Sequence, residues 1–265
     1  MSIFLRLLPR KKRNHNLICF LHLGAVSQAL LSWSPYLRED VDLYVFDKCL
    51  LPSFDDCFSV CEYIVKDAVF REDRPFTLFG HSMGARLAHS LSVYIKNHTS
   101  FRQNGLVLSS AIPPSSDVRS LVKCYQDKIF EKYYMRSDYL IRPLPLDLCK
   151  DTNSFTAQEL RGLLVYGIID GFTPSERMLS DCDVREIIEQ LRLISLFDCF
   201  EPESVDVNIY ALYGLHDNAT PMHLVKLWKE YTSRNFQMFS FSGGHFYYND
   251  SRQCFFRVLN SIVGN

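Results

Sequence analysis

The sequence predicts an α/β fold: a mostly parallel central sheet with helices on both faces and one inserted helical segment. Three observations carry that expectation. Continuous apolar runs alternate with helical patterns from Leu17 to Ser109, which is how strands buried on both faces and their crossover helices read. The alternation stops between about Pro113 and Pro202 and resumes at Val207. Finally, Gly80-His81-Ser82-Met83-Gly84 lies between an apolar run and a helical one. A sharp strand-to-helix turn there would point the Ser82 hydroxyl out of the end of the sheet.

Each element has its own justification. Leu17-Ile18-Cys19-Phe20-Leu21 is the first buried strand, stopped by His22-Leu23-Gly24-Ala25. A helical pattern runs from Gln28 to Tyr36, and Val41 to Phe46 is the second strand. Pro52 breaks the chain, and a helix follows from about Asp55 with Phe58, Cys61, Val65 and Ala68 on its apolar face. Phe76 to Phe79 feeds the Gly80–Gly84 turn. The helix after it carries Leu87, Leu91, Tyr94 and Ile95 on one side, and Gly105 to Ser109 is the next strand. Right-handed βαβ units follow from this pitch.

The insertion, about residues 113–202, shows helical patterns at Leu160, Leu163, Leu164 and Ile168 and again at Ile187, Ile188, Leu191 and Ile194, punctuated by Pro143, Pro145 and Pro174. It reads as a helical lid above the strand ends of one domain spanning 1–265. Val207–Tyr213 and Phe236–Phe241 are the last strands, separated by a helix from Met222 to Tyr231. A final helix begins near Asp250, with Gln253 placed for a capping box and Phe255, Val258, Leu259 and Ile262 as its core face.

Composition bounds the partners. The 29 basic and 30 acidic residues nearly cancel, which supplies no global attraction to nucleic acid or to an anionic membrane. The nine cysteines are odd in number and form no C-x-x-C pair, so free thiols in a reducing compartment are expected rather than a disulfide frame or a zinc site. Ile3 to Leu8 is apolar, but the basic cluster Arg10-Lys11-Lys12-Arg13 follows it, the reverse of a secretory signal. That cluster reads as a solvated arm. No apolar run reaches the length of a membrane span, and a cytoplasmic protein is expected.

The chemistry gathers at three strand ends. A serine hydroxyl becomes a nucleophile when a base takes its proton and a third group fixes the tautomer of the base. In the α/β-hydrolase fold these groups come in the order Ser, Asp or Glu, His. Ser82 follows one strand, Asp217 lies in the exit loop of the strand ending at Gly214, and His245 follows Phe241 by way of Gly243-Gly244. Room for one helix and one strand separates Asp217 from His245. Among other acids, Asp206 precedes its strand, Asp198 falls in the insertion and Asp250 follows His245. None of His22, His81, His89, His98, His216 and His223 comes after the last strand, and His81 reads as a packing residue. An oxyanion would be held by two backbone N–H groups. Met83 gives one; the loop after the first strand gives the other, with Leu23 favoured and Gly24 the alternative.

These residues resemble the type II thioesterases that accompany nonribosomal peptide and polyketide synthetases, over nearly the whole chain. Phe79-Gly80-His81-Ser82-Met83-Gly84-Ala85 matches the family's wording around the nucleophile. Gly214 to Asp217 with Trp228 resembles its acid segment, and Gly243-Gly244-His245-Phe246-Tyr247 its histidine segment. Phe20 to Ala25 is similar to the first loop, and Ser180-Asp181 to Arg192 to the lid. There are departures. Leu21 stands for a proline and Ala25 for a glycine. Leu51-Pro52-Ser53-Phe54 stands near the place of an L-P-G-R segment, and Leu191-Arg192-Leu193-Ile194 lacks the usual acid. The resemblance implies hydrolysis of acyl thioesters on the phosphopantetheine arm of acyl or peptidyl carrier domains, by a monomer without a metal or redox cofactor. A lid with Tyr133, Tyr134 and Phe172 would cover the acyl channel. A hydrolase of acyl-CoA or small free esters, or a non-catalytic carrier-binding homologue, are the other readings the same scaffold allows.

Overall fold

The computed structural model describes residues 2–8, 14–22, 25, 27–70, 74–113, 193, 196–197, 203–217 and 219–264. The expected lid at 113–202, apart from its edges, lies outside them. So do Leu23, Gly24, the basic cluster and the aromatics Tyr133, Tyr134 and Phe172.

Among the described residues seven strands form one sheet: β1 (Phe4–Leu8), β2 (His15–Phe20), β3 (Val41–Phe46), β4 (Phe76–His81), β5 (Gln103–Ser109), β6 (Asn208–Gly214) and β7 (Phe236–Phe241). Their order is β1-β3-β2-β4-β5-β6-β7, parallel throughout except for β1. The expected fold class is therefore the observed one. Continuous apolar strands serve a sheet covered on both faces. Along β2, Ile18 and Phe20 face one core, with Leu78, Leu106, Leu108 and Ile209; Leu17 and Cys19 face the other, with Leu43, Val45, Phe79, Val107 and Leu212. The first core is closed by α1 (Cys57–Val65), α2 (Met83–His98) and Trp228. The second is closed by Trp33 of a 3-10 turn and by Phe255 and Leu259 of the last helix.

Several local expectations change. The stretch from Ile3 to Leu8 reads in the sequence only as a short apolar segment; Phe4–Leu8 is an antiparallel edge strand, with Phe4 opposite Phe46. The Gln28–Tyr36 pattern forms a 3-10 helix, Ser27–Trp33. In α1, Asp56 caps the first turn by accepting the Ser59 N–H at 2.8 Å, which starts the helix at Cys57. The inward face is Cys57, Val60, Cys61, Ile64 and Val65, which keeps the expected Cys61 and Val65, while Phe58 is exposed and Ala68 lies beyond the helix end. Met222–Tyr231 divides into a short helix, α3 (Met222–Val225), and a 3-10 turn, Lys226–Tyr231. At the C-terminus α4 (Tyr247–Asp250) precedes α5 (Arg252–Val263), so the Asp250–Gln253 capping box is absent. Ser251, at the N-cap, instead gives its hydroxyl to the Ser242 carbonyl.

The strand order brings the C-terminal ends of β4, β5, β6 and β7 side by side. The start of α2 presses on β2: a Cβ on Gly84 would meet the Phe20 carbonyl well inside contact distance, and the Leu21 carbonyl oxygen at 2.7 Å. Both are backbone atoms of a central strand end, with little freedom to yield. Gly84→Ala is expected to destabilise the fold by about 2 kcal/mol, typical of overpacking. Thermal unfolding should show Tm lower by roughly 5 °C; an unchanged Tm would contradict this packing.

Candidate active site

Ser82 stands between β4 and α2 with φ 56° and ψ −119°, a left-handed conformation that costs a non-glycine residue energy. Its N–H donates to the Ser109 carbonyl on β5 at 2.8 Å, which holds the turn against the neighbouring strand. Met83 is the first residue of α2. First-turn N–H groups of a helix have no partner within it and carry its positive dipole end, so Met83 presents a donor beside the Ser82 hydroxyl. Leu23 and Gly24, named from sequence for the second donor, lie outside the described residues.

Asp217 and His245 meet. His245 Nδ1 is 2.8 Å from Asp217 Oδ2, and both side chains are largely removed from solvent. The loops that carry them are joined through their backbones: Leu215 N–H donates to the Phe241 carbonyl and His216 N–H to the Gly243 carbonyl, each at 2.9 Å. Gly243 has φ +121°, the conformation that turns the chain back toward β6 and that glycine alone adopts easily.

The remaining acceptor sites of Asp217 are filled locally. Oδ1 accepts the Ala219 and Thr220 N–H groups at 3.0 and 3.2 Å, and Oδ2 accepts the Thr220 hydroxyl. Burial pushes the Asp217 carboxyl up, but the hydrogen bonds from His245 and Thr220 outweigh it and hold the group below its ordinary range. Asp217 is thus an anion fixed in place. The sequence reading does not single out Thr220; a threonine three residues past a loop aspartate is the signal that was present. Among the described residues no hydrogen bond joins Ser82 Oγ to His245, so the serine side of the constellation is open in this conformation.

Around this pair lies a group of rings. His81 is fully buried, 5.1 Å from the His245 ring centroid and 5.5 Å from that of His22. It packs on Phe246 and Tyr248 and pairs through Nδ1 with Ser109 Oγ at 2.8 Å, in keeping with its reading as a packing residue of the turn. Burial pulls His22 down to about 4, helped by the nearby His245 and Lys48, and pulls His81 well below its ordinary value. Burial likewise brings His15 and His89 down to about 4.

These four histidines have a consequence for stability. The unfolded chain takes up their protons near pH 6.5, whereas the fold refuses those of His15, His22 and His89 until about pH 4 and burial acts in the same direction on His81, so protons accumulate on the unfolded side as pH falls through that window. Tm is expected to decline progressively from pH 6.5 to pH 4 in calorimetry. A level Tm across that window would contradict the buried neutral imidazoles.

A cleft of about 230 Å³ opens beside the start of α2. Phe20, Phe46, Met83, Leu87 and Leu193 supply apolar wall, and Asp47 and Lys48 polar wall. Among the described residues, Cys19, Cys57 and Cys61 are buried cysteines outside any disulfide and Cys254 is an exposed one. No described helix is long and apolar enough to cross a membrane.

Comparison with known proteins agrees with the resemblance seen in the motifs. Residues 15–128 match the family described as Thioesterase domain. The chain is 24% identical over 242 residues to Thioesterase PikA5 of Streptomyces venezuelae, covering 88% of this chain and 75% of that one. It is 22% identical over 254 residues to Phenyloxazoline synthase MbtB of Mycobacterium tuberculosis; 93% of this chain is covered but only 16% of the synthase. The solved type II thioesterase BorB, from the borrelidin biosynthetic cluster, shares the fold with a TM-score of 0.69 at 20% identity, covering 99% of both chains. The fold is thus that of the α/β hydrolases.

Proposed function

From the match of residues 15–128 to the thioesterase domain, we propose that this chain is a serine thioesterase that releases acyl groups from phosphopantetheine arms of carrier domains of a peptide or polyketide synthetase. The observation that carries the reading is the buried 2.8 Å Asp217–His245 pair, borne on the loops next to a serine held at positive φ. With Nδ1 of His245 engaged by Asp217, Nε2 is the nitrogen left to take the Ser82 proton. Ser82 Oγ then attacks the thioester carbonyl. The oxyanion is held by the N–H groups of Met83 and Leu23. The C–S bond breaks as His245 returns the proton to the departing thiolate. Water then gives a proton to His245 and attacks the acyl ester on Ser82, the carboxylic acid leaves and Ser82 recovers its proton. Every step is assigned to side chains, backbone and water, so the reading calls for no metal or redox cofactor.

The cleft beside Met83 and Leu87 would receive the start of the acyl chain, and the 113–202 segment, read as a lid within one 1–265 domain, would cover it. A cytoplasmic monomer serving carrier domains in trans completes the proposal. The test is direct: incubate the protein with an acyl thioester, quench in acid and map the peptides by mass. An acyl adduct on Ser82 is expected. Turnover with no adduct under any quench time, or an adduct on another residue, would overturn it.

A further inference from the structure

The end of β5 holds together the two loops that the proposed mechanism must align. Ser109 accepts the Ser82 N–H on its carbonyl at 2.8 Å, and its hydroxyl lies between His81 Nδ1 at 2.8 Å and the Tyr247 hydroxyl at 2.6 Å. The next residue, Ser110, gives its hydroxyl to the His245 carbonyl at 3.0 Å and its N–H to the Leu212 carbonyl at 2.8 Å. The carbonyl after that, on Ala111, is held by Trp228 Nε1 at 2.9 Å. Thus the backbone of the serine turn and the backbone of His245 are fixed by consecutive residues of one strand exit. No hydrogen bond between Ser82 and His245 themselves sets their separation among the described residues.

Ser110 is unusual in its own right. It is 1% exposed and has φ 44°, a region where a Cβ carries a penalty. Glycine would take that conformation at less cost, yet the position carries a hydroxyl, and that hydroxyl is used. We propose that Ser110 is a positioning residue: it fixes the His245 loop, and through it the imidazole, relative to Ser82. The inference rests on the thioesterase reading of the site. Misplacement of a reacting group by about 1 Å costs on the order of 10² in rate, so loss of this tether should be visible without touching any reacting atom.

Ser110→Gly separates the hydroxyl from the backbone conformation, because glycine keeps φ 44° and removes the side chain. On an acyl thioester that the wild type turns over, kcat is expected to fall on the order of 10–100-fold, with KM within about twofold and Tm not lowered by more than about 3 °C. Ser110→Ala, which keeps the Cβ, should lose kcat by a similar factor, and both should be labelled more slowly at Ser82 by a fluorophosphonate. A Ser110→Gly variant with wild-type kcat, or one whose loss lies in KM alone, would overturn the role of Ser110 while leaving the thioesterase reading intact. A wild type that neither hydrolyses thioesters nor labels at Ser82 would overturn both.

Discussion

Ser82→Ala and His245→Ala are each expected to lower kcat for acyl thioester hydrolysis by on the order of 10⁶, with the fold retained. The magnitude follows from what each removes. Without the Ser82 hydroxyl no acyl-enzyme forms, and what remains is the contribution of the α2 N-terminus and the cleft to direct attack by water. Without the imidazole the hydroxyl keeps its proton, and the anionic Asp217 has nothing to orient. The two losses should not add: the double variant should be no slower than either single one, because serine and base act as a unit. Neither substitution opens a core cavity, so Tm should stay near the wild-type value. Saturating kcat measurements on the three variants check this. A single variant that keeps activity within about a hundredfold of wild type would move the nucleophile or the base elsewhere.

Asp217→Asn should cost less, on the order of 10⁴ in kcat. The substitution keeps the shape but alters every bond the group makes. Asp217 accepts from two backbone N–H groups, the Thr220 hydroxyl and His245 Nδ1, so all four contacts call for an acceptor. An amide offers one oxygen and one NH₂; whichever way it turns, a donor meets a donor. If the oxygen stays with the backbone N–H groups, the NH₂ faces His245 and favours the tautomer with its proton on Nε2, the wrong nitrogen for accepting the Ser82 proton. The loss of charge adds to this, since the imidazolium formed during attack then has no counter-ion. Stability should respond as well. The native Asp217 carboxyl is depressed, so its contribution is present above about pH 4 and is lost as pH falls through the native value. In the Asp217→Asn variant that contribution is absent at every pH. A variant with near wild-type kcat would assign the orienting role to another acid.

The inner strands were legible because a parallel strand buried on both faces carries a continuous apolar run, as residues 17–20, 43–46, 106–108 and 209–213 do. Strand β7, at the far edge of the sheet and half-buried, was legible by its alternation of Phe236, Met238 and Ser240 with Gln237, Phe239 and Phe241 after a turn. The edge strand β1 was not, because Phe4-Leu5-Arg6-Leu7-Leu8 is short and is recruited by Phe46 and Asp42 across the sheet rather than by its own pattern. The α1 face keeps the expected Cys61 and Val65 but departs at its two ends: Phe58 is exposed, with Cys57 and Val60 buried in its place, and the helix stops at Val65, short of Ala68. Ser82, Asp217 and His245 were readable because each follows a recognisable strand and the chain order is constrained. Thr220, Ser109 and Ser110 were invisible for the opposite reason. A serine or threonine in a loop has many local uses, and only the pairing of β5 with β4 and β6 brings the two serine hydroxyls to the elbow and to His245.

The measurement that tests the central claim most directly is hydrolysis of a panel of acyl groups loaded on a carrier protein, beside the matching acyl-CoA and simple thioesters, with Ser82→Ala in parallel. Fast release from the carrier that disappears in the variant, with weak release from the free compounds, is the predicted result. Equal or faster turnover of the free thioesters would contradict a carrier-directed role and make the protein a general thioesterase or esterase. Release that survives in Ser82→Ala would contradict the serine mechanism itself.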